Sequence, residues 1–154
     1  MSLPNNIIQP HLQIMQQADL DAVYAVEQAA YEYPWSFKNL QNCLNTGYNC
    51  WIWRLNTQVI GHGIMLIGGG ECSILNLCTH PAYQKRGLGQ QMLLHLLNIG
   101  REQRADTAFL EVRKSNITAL RLYQRVGFNE IGIRRDYYPH SKGRMDAIVL
   151  AKTL

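Results

Sequence analysis

The sequence predicts one mixed α/β domain spanning residues 1–154, and three observations predict it. The chain has 154 residues with 47% hydrophobic content, enough for one buried core. Three β-prone runs follow one another with turn signals between them, as in an antiparallel meander. After them, helical and strand spacings alternate, as in a strand-helix-strand-helix section.

In chain order, a short strand is expected around Leu12 to Met15, then a helix capped by Asp19 with Ala22, Val23, Val26 and Ala30 on one face. Pro34 breaks that pattern, and Ser36 is placed to cap a second short helix through Leu40 and Leu44. The meander consists of YNCWIWRL, a turn at Asn56 to Gln58, VIGHGIMLI, a Gly68-Gly69-Gly70 hairpin loop and ECSILNLCT. Leu88, Met92, Leu93, Leu96 and Leu97 give the next helix, TAFLEV the next strand, and Asn116 to Arg125 a further helix ending at Gly127. Two last strands are expected near Glu130 to Arg135 and Asp146 to Ala151, around a polar loop.

Composition narrows the function classes. The opening MSLPNNIIQP lacks a cationic start and an apolar segment of signal-peptide length, and no run reaches the ~18 apolar residues of a membrane span. A soluble, cytoplasmic protein with no membrane partner is expected. Cys43, Cys50, Cys72 and Cys78 form no Cys-x-x-Cys pair and no histidine stands at metal-helix spacing beside them, so reduced, buried thiols and no metal are expected. The net charge of +4 divides unevenly: residues 1–84 carry two cations and five acids (2 − 5 = −3), and residues 85–154 carry thirteen cations and six acids (13 − 6 = +7). A phosphate-bearing ligand, a nucleic-acid surface or a merely lopsided solvated face would each suit the basic half.

That half opens with HPAYQKRGLGQQM, His80 to Met92. A Walker loop is excluded because Gly89 is followed by Gln90 and Gln91, not by Lys and Ser or Thr; a dinucleotide fingerprint is excluded because position 92 is Met, not Gly. What remains is a strand ending near Thr79, a turn at Pro81, and Gly87 and Gly89 where backbone N–H groups approach an anion at a helix start. Lys85 and Arg86 add positive charge there; a plain strand-to-helix turn is the alternative.

A second cluster is LEVRKSNITALRLYQRVGF, Leu110 to Phe128. Strand alternation buries Leu110 and Val112 and leaves Glu111 and Arg113 on the opposite, functional side. Asn116, Leu120 and Tyr123 share one helical face, where Asn116 is either a cap or a ligand and Tyr123 either core or functional. A carboxylate can take a proton from an amine near neutrality, and a phenol can protonate a departing thiolate, so Glu111 and Tyr123 are candidates for base and acid. Arg113, on the same strand face as Glu111, would weaken that base if it lay close.

Gln84-Lys85-Arg86-Gly87-Leu88-Gly89 resembles the Gln/Arg-x-x-Gly-x-Gly/Ala pyrophosphate loop of the GCN5-related N-acetyltransferases, which bind acetyl-coenzyme A. Tyr33-Pro34-Trp35-Ser36, Leu110-Glu111-Val112-Arg113, Ser115-Asn116 and Arg134-Arg135-Asp136-Tyr137-Tyr138 extend the resemblance over nearly the whole chain. They direct it to the bacterial branch that acetylates the N-terminal alanine of a small-subunit ribosomal protein. The resemblance implies a central, mostly antiparallel twisted sheet with one splayed parallel pair and flanking helices. It implies Glu111 as general base and Tyr123 as general acid. Leu77, Cys78 and Thr79 would offer backbone to the pantetheine arm, Lys85, Arg86, Gly87, Leu88, Gly89 and Gln90 would bind pyrophosphate, and Asn116 would touch the cosubstrate. Trp35 and Tyr138 would border the peptide groove, unless they are simply surface-loop aromatics.

Two departures stand out: Met145 replaces an acid often found before the late Asp-Ala, and His80 replaces the frequent Asp before Pro81. His80 is either an exposed turn residue or a rival base. No cysteine has a histidine partner evident in sequence, so direct transfer without an acyl-enzyme is expected. A lysine or small-amine acetyltransferase, and a non-catalytic coenzyme A- or RNA-binding module, are the alternatives. Nucleic acid is expected as a partner only through the ribosome, because no stacking-aromatic RNA motif is present.

Overall fold

The computed structural model describes residues 9–154. The expectation about a leader segment falls mostly on residues 1–8 and so lies outside the described residues. Seven strands form one sheet: β1 (His11–Ile14), β2 (Asn49–Leu55), β3 (Gln58–Gly68), β4 (Glu71–Thr79), β5 (Thr107–Arg113), β6 (Asn129–His140) and β7 (Gly143–Thr153), in the order β1-β2-β3-β4-β5-β7-β6. Every neighbouring pair is antiparallel except β4 with β5, as expected for a mostly antiparallel sheet with one parallel pair. The meander turns form where the backbone tolerates positive φ, at Asn56 (55°) and at Gly69 and Gly70 (61° and 79°).

Four helices flank the sheet: α1 (Leu20–Ala30), α2 (Phe37–Asn45), α3 (Leu88–Glu102) and α4 (Ile117–Val126). Ser36 caps α2 by accepting from Asn39 N–H at 3.1 Å, and Asn116 caps α4 by accepting from Ala119 N–H at 3.2 Å.

Three expectations need correction. Asp19 makes no side-chain cap on α1; it accepts from Gln16 N–H, closing a short 3₁₀ turn over Gln17–Asp19, and pairs with Arg54 at 2.6 Å. The α1 face turned inward is Leu20, Val23, Val26 and Glu27, while Ala22 is exposed. The supposed polar loop of the tail is mostly ladder, because β6 and β7 continue pairing to His140↔Gly143, past an irregularity between Arg134 and Tyr138 where Asp136 adopts φ 53°.

Each face of the sheet has its own apolar cluster. α1 and α2 cover Ile52 and Ile64 with Leu20, Val23 and Leu40. On the other face, α3 and α4 cover Met65, Leu110 and Val112 with Met92, Leu93, Leu96 and Tyr123. β4 takes part in both, because Ile64 and Met65 of β3 pair with Asn76 and Ile74, leaving Leu75 as a surplus residue. Cys72 and Ile74 belong to the α3–α4 cluster, whereas Leu75 packs with the α1–α2 cluster and Asn76 hydrogen-bonds to α1. At this bulge β4 parts from β5: their pairing runs from Glu71↔Thr107 to Ile74↔Leu110 and stops. Beyond it β4 keeps only β3, and β5 keeps only β7.

Candidate active site

The parting of β4 and β5 opens a cavity of about 610 Å³ through the middle of the sheet. Strand alternation settles which side chains enter from each face. Leu110 and Val112 are buried in the α3–α4 cluster, so Glu111 and Arg113 emerge on the α1–α2 face. Tyr123 reaches the same cavity from α4, on the opposite face, and Asn116 borders it at the helix cap. The expected base and acid thus flank the opening from opposite sides of the sheet.

Glu111 has a cationic neighbour, but it is not the one strand alternation suggests. Arg134 of β6 meets the Glu111 carboxylate at 2.9 Å. Arg113 is held elsewhere: its guanidinium lies 4.5 Å from the Tyr33 ring centroid and 4.7 Å from that of Tyr138, and it donates to the Pro139 carbonyl at 2.6 Å. A hydrogen bond to Glu111 is the main cause that raises the Tyr137 phenol; burial first, then the Glu111 charge, raises that of Tyr138. Trp35 and Tyr138 both line the cavity and are half-buried, Trp35 in the turn before α2 and Tyr138 on strand β6, not on a loop.

The expected donor side divides by backbone direction. His80 N–H bonds to Ile60 of β3, the Leu77 carbonyl accepts from the Tyr31 hydroxyl and the Thr79 carbonyl from Gln84 Nε2. Odd positions therefore turn their backbone away from β3 and even positions toward it; with the Leu77 and Thr79 carbonyls accepting from Tyr31 and Gln84, it is their N–H groups that face the opening, while Cys78 is engaged in the ladder. The glycine loop follows, with Lys85 at φ 64° and Gly87 at φ 80°, a conformation that suits glycine at the start of α3. The first N–H groups of α3 have no intrahelical acceptor, and Leu88 points its side chain into the core while Gly89 adds none. Arg86 stacks over Tyr83 at 5.3 Å, and Arg125 of α4 donates to Gln90 at 3.1 Å, tying the loop to the helix that carries Tyr123.

Tyr123 is 8% exposed, and burial pushes its phenol up to about 12, so it holds its proton throughout the neutral range. All four cysteines are free and buried, as expected. Burial raises the Cys50 thiol to about 12; burial first, and then Glu27, raises Cys78 further, which disfavours the thiolate a nucleophile would need. His80 is half-buried and caps a turn, its Nδ1 accepting from Ala82 N–H at 3.0 Å. At the other departure, Ser115 Oγ donates to the Met145 sulfur, and Asp146 accepts from Asp136 N–H at 3.0 Å.

Sequence reasoning missed a polar cluster on the α1–α2 side. Glu27 is 1% exposed and borders the cavity; its carboxylate accepts from Asn76 Nδ2 at 2.8 Å and from Trp35 N–H at 3.4 Å, and contacts His62 Nε2 at 3.3 Å. The signals were present: Glu27 lies on the apolar stripe of α1 with Leu20 and Val23, and Asn76 interrupts the apolar run Ile74-Leu75-Asn76-Leu77. Glu27, His62 and Cys78 hold metal-type donor atoms within 4.8 Å of one another, which the sequence spacing does not reveal. The carboxylate is already engaged by an amide, an imidazole and a backbone N–H, and the thiol is protonated, so the chemistry of this set is that of a hydrogen-bonded hub.

Comparison with known proteins places these features in context. The model of the acetyltransferase (GNAT) family matches residues 15–128. The [ribosomal protein bS18]-alanine N-acetyltransferase of Escherichia coli K12 is 37% identical over 137 residues, covering 89% of this chain and 93% of that protein. The crystal structure of the Escherichia coli ribosomal-protein-S18-alanine N-acetyltransferase superposes with a TM-score of 0.88 at 35% identity, covering 94% of each chain. Arabidopsis thaliana Naa50, solved with the bisubstrate analogue CoA-Ac-MVNAL, shares the fold at a TM-score of 0.83 and 19% identity, over 96% of this chain and all of that one.

Proposed function

The chain belongs to the acetyltransferase (GNAT) family, and we propose that it moves acetyl from acetyl-coenzyme A to the N-terminal alanine amine of a small-subunit ribosomal protein of the bS18 kind. The observation that carries this reading is the cavity between β4 and β5, with Glu111 entering from one face and Tyr123 from the other. The residues present suit the donor: free N–H groups at the start of α3 with Lys85 and Arg86 beside them for a pyrophosphate, and the Leu77 and Thr79 backbone for an amide-bearing arm. The donor supplies a thioester carbonyl and a thiol leaving group.

Glu111 takes a proton from the acceptor ammonium, directly or through water, and the neutral nitrogen can then bond to the acetyl carbon. Tyr123 delivers its proton to the sulfur as the C–S bond breaks; the second proton, which the nitrogen sheds on becoming an amide, restores the Tyr123 phenol, and Glu111 releases the first to solvent. Arg134 fixes the direction of the Glu111 carboxylate, and Arg113 holds Tyr33 and Tyr138 together at the acceptor mouth. Buried, protonated cysteines support direct transfer rather than an acyl-enzyme. Asn116 keeps its capping bond to Ala119, which leaves its amide nitrogen as the group that could reach the donor.

No helix among the described residues is long and apolar enough to cross a membrane. Together with a ribosomal acceptor, this supports action in the cytoplasm. The test mixes the protein and acetyl-coenzyme A with peptides that differ only at their N-terminus, then locates the acetyl group by mass spectrometry. Acetyl on the α-amine of the alanine peptide is expected; acetyl on a lysine instead would overturn the substrate assignment.

A further inference from the structure

We propose that Asn76 is a further acceptor-binding residue, its Oδ1 accepting a hydrogen bond from the incoming amine, and that Glu27 is the positioning residue that keeps that oxygen available. The proposal rests on the reading of the cavity as an amine-acceptor site.

An Asn amide has one accepting and one donating end, and its direction is decided by its partners. Here the partner is a carboxylate, which only accepts: both Glu27 oxygens lie near Asn76 Nδ2, at 2.8 and 3.3 Å. The nitrogen must therefore face Glu27, and Oδ1 is left over. Asn76 is 7% exposed and borders the cavity, and its Oδ1 is buried without a hydrogen-bond partner. A buried acceptor without a donor is costly unless a ligand supplies one, and an amine entering between β4 and β5 carries N–H groups.

Glu27 cannot turn away to release the amide. His62 of β3 and the Trp35 N–H hold the same carboxylate from two other directions, so one side chain links α1, the turn before α2, β3 and β4. Asn76 stands at the bulge where β4 leaves β5, across the opening from Glu111 on β5. An amine held by Asn76 on one strand would present its proton to Glu111 on the other. Peptide groups elsewhere in the acceptor have no part in this contact, so its effect should vanish when the amine itself is removed.

The test measures binding to the coenzyme A-loaded protein of an alanine-initiated peptide and of its desamino counterpart, in which propionyl replaces alanyl. Asn76→Ala should weaken binding of the alanine peptide about tenfold and leave the desamino peptide unchanged. Equal weakening of both peptides would mean a structural role and would overturn the proposal, as would no weakening of either. The double variant Glu27→Gln with Asn76→Asp reverses the polarity of the pair: the amide introduced on α1 donates to the carboxylate introduced on β4, which again offers an oxygen to the cavity. It should restore the preference for the amine that Asn76→Ala loses, and failure to restore it in a folded protein would also count against the assignment. If the wild-type protein binds and acetylates no N-terminal amine, the underlying acceptor reading fails, an outcome distinct from a wild type that acetylates normally but is indifferent to Asn76.

Discussion

The two faces of the sheet around the opening are built differently. On the α3–α4 face the wall is apolar packing, with Met92, Leu93 and Leu96 against the strands and one phenol, Tyr123, brought to the cavity by burial. On the α1–α2 face the wall is held by polar pairs: Glu111 with Arg134, Arg113 between two tyrosines, and Glu27 with Asn76 and His62. The first face positions one group by excluding water; the second orients several groups by directed bonds. The proposed chemistry divides the same way, with the leaving thiol assigned to the packed side and the acceptor amine to the bonded side.

The sharpest way to break this division is to remove the proposed base alone. Glu111→Gln should lower kcat by about 10²–10³-fold while the KM for acetyl-coenzyme A stays near wild type, read by steady-state kinetics with each substrate varied. Tyr123→Phe should cost about 10²-fold with the natural donor and much less with an aryl thioester, whose thiolate needs no proton to depart. A comparable loss with both donors would remove Tyr123 from the acid role. Replacing Lys85 and Arg86 together by Ala should weaken acetyl-coenzyme A binding by about tenfold, an effect that shrinks as salt is raised, with peptide KM unmoved. Arg113→Leu should do the reverse, raising peptide KM several-fold as Tyr33 and Tyr138 lose their shared cation, and leaving donor binding intact.

The smallest effect concerns pH. Both Tyr123 and the Cys50 thiol are raised to about 12 in the folded chain, from ordinary values of 10 and 9. Between those ordinary values and about 12 the folded state holds protons that the unfolded state has lost, so stability falls as pH rises through that window. Denaturant midpoints should decline as pH is raised from 9 to 11, and a flat series over that range would refute the raised values. Below pH 9 neither group contributes to the slope.

The packed face was legible in the sequence because its parts are local. The leucines of α3 repeat with helical spacing, the glycine loop lies within six residues, and Glu111, Asn116 and Tyr123 fall within thirteen positions of one another. The bonded face was not, because it joins residues 27, 62, 76, 111 and 134 from five separate elements. Strand alternation placed Arg113 beside Glu111, yet same-face residues two apart need not touch when another ring or carbonyl competes for the guanidinium. Asp19 misled for a similar reason: a carboxylate at a helix start is a fair cap by type, but Arg54, far away in sequence, engages it. The tail was read as a loop because its polar residues give no alternating apolar signal, although backbone pairing alone extends β6 and β7 to the hairpin tip.

Along β4, Cys72, Ile74, Asn76 and Cys78 are all buried at intervals of two, as though one uninterrupted phase ran through the strand. The surplus Leu75 breaks that phase invisibly: Cys72 and Ile74 face α3, whereas Asn76 and Cys78 face α1. Deleting this single leucine would therefore do more than shorten the strand. Ile74 would still face α3 and Asn76 and Cys78 would still face α1, now in unbroken alternation and in the same register with β3, but the bulge at which β4 parts from β5 would be gone. The position is a spacer: it sets no side chain's direction but its own, and the opening between β4 and β5 depends on its being filled.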